Sequence, residues 1–139
     1  MTKYGMVFYK VNRRPVNGED FKDYLVELTN ICRSTEIDHP YFILDNARIH
    51  HYRGLGDVLE SMEINLMYLP PYSPFLNPIE NVFSKWKNHV VRSEAKDEQE
   101  LLNLIDDGFK IISADDCSSY YRKMLRYVSR SINREIIME

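Results

Sequence analysis

Tyr41-Phe42-Ile43-Leu44-Asp45-Asn46 is an unbroken apolar run of strand length that stops abruptly at an acid and an amide. A strand with no polar residue on either face is expected where both faces are covered, as in α/β folds built on a parallel sheet. Ile64-Asn65-Leu66-Met67-Tyr68-Leu69 reads as the next strand, and Pro70-Pro71-Tyr72-Ser73-Pro74 stops it. Upstream, Gly5-Met6-Val7-Phe8-Tyr9-Lys10-Val11 has the β-branched and aromatic character of a further strand.

Helical spacing fills the gaps. Phe21, Tyr24, Leu25, Leu28 and Ile31/Cys32 recur at threes and fours from Glu19 to about Arg33. A weaker helix over about Tyr52 to Met62 is interrupted by Gly54 and Gly56. After the Pro-rich loop, Asn77 offers an N-cap and Pro78 the first helical position, with Ile79, Val82, Phe83, Trp86 and Val90 lining one face to about Arg92. Two more helices follow, roughly Glu98 to Ser113 and Ser118 to about Ile136, the latter capped by Asp115 or Asp116. The expected order is strand, helix, strand, helix, strand, helix, helix, helix.

With 139 residues, 44% hydrophobic and 28% charged, the composition is that of one globular domain, long enough to fold without disulfides. No apolar stretch approaches a membrane span and the first residues lack the apolar segment of a secretory signal, so an intracellular protein is expected. Cys32 and Cys117 are far apart and outside any CxxC, which points to plain thiols rather than a disulfide or zinc site. A net charge of −3 argues against coating nucleic acid by bulk electrostatics, so any such contact is local. The charge is uneven: residues 18 to 63 carry ten acids against four bases, whereas Tyr120 to Arg134 holds Arg122, Lys123, Arg126, Arg130 and Arg134 with no acid.

Asp45 at a strand end and Glu80 in the first turn of a later helix are the candidate chemistry. In α/β sheets ligands bind beyond the carboxyl ends of the strands, where two such carboxylates can converge on hard divalent cations. Two plainer readings stand beside this. Asn77-Pro78-Ile79-Glu80 fits a capping box, and Asp45-Asn46 fits ordinary turn chemistry. His50 and His51 could serve as metal ligands or proton carriers, but a His pair in a polar loop is more often solvated.

Ile43-Leu44-Asp45-Asn46-Ala47 with His50, and Leu69-Pro70-Pro71-Tyr72-Ser73-Pro74-Phe75-Leu76-Asn77-Pro78-Ile79-Glu80-Asn81, resemble the DDE transposases of the Tc/mariner superfamily and its bacterial insertion-sequence relatives. The thirty-four residues between the two acids match that group as well. The likeness covers residues 5 to 92 well and residues 93 to 139 in outline, as one partial catalytic domain with C-terminal helices. It implies a ribonuclease H-like fold, incomplete at the N-terminus, and two-metal Mg²⁺ or Mn²⁺ chemistry in DNA cleavage and strand transfer. In that scheme Asp45 is the second acid and Glu80 the third, both metal ligands, with Asn46 and His50 as accessory residues. Tyr72 is expected to pack and the prolines to shape the loop.

One departure bears on activity. The family's first acid lies on a strand upstream of the segment matching Gly5 to Val11, and residues 1 to 17 contain no Asp or Glu. The resemblance therefore implies the C-terminal part of a transposase, inactive alone. Its partners would be DNA and a separately encoded N-terminal half or a second copy, and its location the nucleus of a eukaryote or the cytoplasm of a bacterium. The alternative is a catalytically dead remnant that only binds nucleic acid or protein. A strand left unpaired beside Tyr41 to Leu44 would invite association. For phosphate contact the candidates are Lys85 and Lys87, near the acid at 80, and Arg122, Arg126 and Arg130, which repeat every four residues opposite Tyr121, Leu125, Val128 and Ile132.

Overall fold

A computed structural model describes residues 1–137. In chain order its elements are α1 (Gly18–Ser34), β1 (Tyr41–Leu44), α2 (Gly56–Ser61), β2 (Asn65–Tyr68), α3 (Ile79–Arg92), α4 (Glu98–Lys110) and α5 (Ala114–Ile132). The chain divides into two compact units, residues 7–73 and a second made of Met1–Met6 with the residues from Pro74 on.

In the first unit, α1 begins where Asn17 and Asp20 cap each other reciprocally, at 3.0 Å in both directions. The backbone N–H of Asn17 and the guanidinium of Arg14 hold the Asp20 carboxyl below its ordinary pKa. The buried stripe of α1, Phe21 and Leu25, meets Leu55 and the half-buried Phe42, Leu44, Tyr52, Leu59 and Leu66 in one cluster. β1 and β2 run parallel in the register Tyr41↔Asn65 to Leu44↔Tyr68. Side chains alternate across a strand, so Phe42, Leu44 and Leu66 face that cluster while Tyr41, Ile43 and Met67 point the other way.

That second face corrects the expectation of a strand buried on both sides. Tyr41 is 65% exposed, and Ile43 and Met67 are each 50% exposed. The apolar run is real, but among the described residues only one layer covers it.

The strand expected at Gly5 to Val11 does not form. Thr2 and Gly5 make one isolated antiparallel bridge, and residues 6–11 join no ladder. A strand exists by its inter-strand hydrogen bonds, and β propensity without a neighbour cannot make one. Instead residues 8–10 run against α1: the Phe8 ring stacks on Tyr24 at 5.1 Å and the Lys10 ammonium pairs with Glu27 at 2.5 Å.

The weak helix of the crossover is also shorter than expected. Two 3₁₀ turns, Arg48–His51 and Arg53–Leu55, precede α2. A methyl group on Gly18 or on Gly54 would come within 2.4 Å of the Tyr52 ring, so both glycines make room for that aromatic.

In the second unit, Val82, Ile112 and Cys117 form the buried cluster, flanked by Met6, Ile79, Phe109 and Tyr120. Trp86 of α3 stacks on Phe109 of α4 at 5.4 Å and donates to the Ile105 carbonyl at 3.0 Å. Gly108 lies in the last turn of α4, where a Cβ would meet the indole at 2.5 Å. Cys32 and Cys117 are both buried free thiols, each raised in pKa by burial. α5 starts earlier than expected because Ser113, not Asp115 or Asp116, is its N-cap; Asp116 returns to the Ser113 N–H at 2.9 Å. Of the apolar line opposite the arginines of α5, Leu125 and Ile132 are exposed. Among the described residues no helix is long and apolar enough to cross a membrane.

Candidate active site

Asp45 is the first residue beyond β1, just after the ladder's end, where the Leu69 N–H donates to the Leu44 carbonyl at 2.8 Å. One carboxylate oxygen is spoken for. Oδ1 accepts the Ala47 N–H at 3.0 Å, the turn expected of Asp, and lies 2.8 Å from Nδ1 of His50. The same Nδ1 is 3.1 Å from the Asp45 carbonyl. Both neighbours of Nδ1 are acceptors, so this nitrogen carries the proton and donates to both. The imidazole is held from its other side by the Phe21 ring, 4.6 Å away.

A second brace lies alongside. His51 Nε2 donates to Asn46 Oδ1 at 2.5 Å, and the His51 ring stacks on Tyr68 at 4.3 Å. The Tyr68 hydroxyl donates to the His50 carbonyl at 2.7 Å, and burial pushes its pKa up. Asn46, His50 and His51 are therefore cross-links of the loop rather than solvated side chains. Oδ2 of Asp45 keeps no hydrogen-bond partner among the described residues. The sequence offered no sign of this bracing beyond the His50-His51 pair itself.

Glu80 lies in the first turn of α3. The helix begins at Ile79, one residue later than expected, with Pro78 as its N-cap and no side-chain cap closed. Asn77 is buried and its Oδ1 accepts the Ile79 N–H at 3.4 Å, while the Glu80 N–H reaches the Asn77 carbonyl at 3.2 Å. The capping-box reading of Glu80 is thus corrected. Complete boxes form at Asn17/Asp20 and Ser113/Asp116, where the acid is at the third helical position; Glu80 is at the second. Its carboxylate is exposed and without a partner among the described residues. Asp45 belongs to the first unit and Glu80 to the second. No group of three His, Cys, Asp or Glu side chains is clustered among the described residues.

Tyr72 does not pack as expected. It is 98% exposed, with a backbone φ of 57°.

The basic candidates fare unequally. Lys85 is bound to Asp116 at 2.6 Å, and Arg130 is held by Glu135 at 2.9 Å and by the Ile136 carbonyl at 3.0 Å. Arg122 donates to Ser118 at 2.9 Å. Lys87 and Arg126 are exposed and have no partner among the described residues. The polar face of α3, with Asn81, Ser84, Lys85, Asn88 and Arg92, lines an open depression of about 560 Å³. His89 Nε2, sealed from solvent and without a hydrogen-bond partner among the described residues, belongs to a residue bordering it. Only Lys85 of this set was singled out from sequence, although the spacing of three and four was there to read.

The comparisons fit this geometry. Residues 1–102 match the family model described as DDE superfamily endonuclease. The chain is similar in structure to the catalytic domain of Mos1 mariner transposase, with a TM-score of 0.80 at 17% identity, covering 98% of this chain and 72% of that one. The Mos1 catalytic domain with raltegravir and Mg gives 0.80 at 17% identity, covering 99% and 73%. A pre-cleavage Mos1 transpososome gives 0.80 at 18% identity, with 99% of this chain but 43% of that one covered. No curated protein matches the chain. The fold is that of the transposase catalytic domain, ribonuclease H-like as expected. On the match over residues 1–102, the chain belongs to the DDE superfamily of endonucleases.

Proposed function

We propose that this chain is a Tc/mariner-type transposase catalytic domain that supplies Asp45 and Glu80 to metal-dependent cleavage and strand transfer of DNA. One observation carries the reading: each acid stands at an element end with carboxylate oxygen left uncommitted by its own fold. The donor chemistry suits Mg²⁺ or Mn²⁺, which take one or two carboxylates and complete their shell with water and phosphate oxygens. Relatives crystallised with Mg and with Mn support the same ion class.

Held by these two carboxylates, such ions would supply Lewis-acid activation of the attacking hydroxyl and charge stabilisation of the leaving oxygen. The chain's own residues prepare the place. Ala47 and His50 fix Oδ1 of Asp45, so that Oδ2 alone is presented. Pro78 and Asn77 start α3 so that Glu80 is not drawn into its own cap. Lys87 and Arg126 are the cations best placed by their freedom to meet phosphates. Among the described residues β1 is paired on one edge only, which supports a further strand or a second copy docking there.

The test is Mn²⁺-induced broadening in amide spectra of the chain. Broadening centred on residues 45–47 and 79–81, lost in Asp45→Asn, is expected. Its absence at millimolar Mn²⁺, in a chain that still binds DNA, would leave the inactive remnant as the better reading. Supercoiled plasmid with Mg²⁺ should stay un-nicked by this chain alone.

A further inference from the structure

Asp45 and the Pro70–Ser73 loop leave the same end of the two-stranded sheet, because Leu44 is paired with Tyr68 and the Leu69 N–H bonds to the Leu44 carbonyl. Tyr72 is three residues beyond Leu69, so its Cα lies within roughly 11 Å of the end of the ladder. Two unfavourable choices coincide at this residue. Its φ of 57° is left-handed, a conformation that bulky L-residues avoid, and its ring is 98% exposed. Four of the other left-handed residues, Glu36, Glu63, Glu94 and Arg134, directly follow helix ends; Tyr72 caps nothing.

The loop is built to keep the ring out. Pro70 and Pro71 restrict the backbone before it, and the Ser73 hydroxyl donates back to the Pro71 carbonyl at 3.3 Å. The ring makes no hydrogen bond or ring contact with any described residue. Arg48, exposed and likewise without a partner among the described residues, leaves the same sheet end on the loop after Asp45. An outward-turned aromatic face together with a free cation is the pairing that single-stranded nucleic acid uses, with a base stacked on the ring and a phosphate met by the charge.

We infer that Tyr72 is a stacking platform for an unpaired nucleobase at a DNA end processed beside Asp45. The inference rests on the DNA-cleaving function proposed above and adds to it a binding residue and a substrate form. A base inside a duplex has both faces covered by its neighbours, so the ring engages only where pairing is broken, at a frayed, cut or flipped position. Arg48 contacts the backbone whether or not the base is paired.

The experiment is fluorescence anisotropy of the full chain with a labelled blunt duplex and with the same duplex carrying a short 3′ overhang. The overhang should bind more tightly. Tyr72→Ala should lower affinity for the overhang about tenfold and leave the blunt duplex unchanged, while Tyr72→Phe and Tyr72→Trp retain it. Arg48→Ala should weaken both DNAs equally. Because the Tyr72 ring is in solvent, the Ala variant should melt as the parent does, which separates binding from folding. Equal overhang binding by Tyr72→Ala and the parent would overturn the inference, as would a parallel loss on both DNAs. If the parent chain binds neither DNA, the function proposed above falls and takes the inference with it.

Discussion

Asp116 carries two jobs that a sequence window reads as one. Its Oδ2 closes the N-terminal box of α5, accepting the Ser113 N–H and hydroxyl at 2.9 Å each, and it also binds the Lys85 ammonium at 2.6 Å. Lys85, then Ser113, holds its carboxyl below the ordinary 3.8. The folded state therefore releases this proton more readily than the unfolded state. The stabilisation is complete above the unfolded pKa and is lost as pH falls through the lower folded one. In urea titrations between about pH 5 and about pH 3, the parent should lose more stability than Asp116→Asn. Equal pH slopes would show that the pair contributes nothing. The same contact says why Lys85 is a poor phosphate ligand, a point the sequence cannot show because the partners are thirty-one residues apart. Asp45 and Glu80, by contrast, are legible because each stands at an element boundary. The His50 brace and the outward ring of Tyr72 are not, since side-chain direction there depends on local φ and on ring contacts.

Helix ends show which part of an element is hard to read. α1, α2 and α5 each close with a Schellman pattern: Ile37 N–H to Cys32 carbonyl at 2.9 Å, Ile64 to Leu59 at 2.9 Å, and Glu135 to Arg130 at 3.0 Å. The residue that turns left-handed in each is Glu36, Glu63 or Arg134, not the usual glycine. Without glycine the stop signal is missing, which is why α5 is expected to reach Ile136 and ends at Ile132. The starts are better marked, by Asn17 and Asp97 and, once Ser113 is seen, by the box to Asp116. Apolar periodicity places α1, α3 and both sheet strands correctly within a residue or two, because burial of one stripe decides them. It fails at Gly5 to Val11, where the decision belongs to a pairing partner rather than to the segment. A left-handed L-residue costs about 1–2 kcal/mol, partly offset by the chain entropy glycine loses on folding. Glu63→Gly should therefore raise stability by up to about 1 kcal/mol in urea melts. A loss of stability would mean that the Glu63 side chain contributes something its exposed position does not suggest.

Across the whole chain, burial is thin for its length. Among the described residues, six of the eight buried hydrophobics form two small clusters, Phe21, Leu25 and Leu55 in one unit and Val82, Ile112 and Cys117 in the other, with Cys32 and Ile64 outside them. The sheet has two strands, and β1 pairs with β2 on one edge only among the described residues. Its uncovered face presents Tyr41, Ile43 and Met67 side by side, for Tyr41 and Ile43 alternate with the buried Phe42 and Leu44 and Met67 is registered opposite Ile43. An open strand edge next to an apolar face promotes association, and charge on that face is how natural sheets suppress it. The isolated chain should therefore self-associate with rising concentration in sedimentation velocity. Ile43→Lys should shift it toward monomer without lowering its melting temperature, because the replaced side chain touches no buried cluster. Phe42→Lys is the opposing control: that side chain packs on Phe21, Leu25 and Leu55, so the same charge there should unfold the unit. A parent that stays monomeric and melts in one sharp transition would show that the open edge is satisfied within the chain. The docking strand or second copy proposed above would then have lost its structural support.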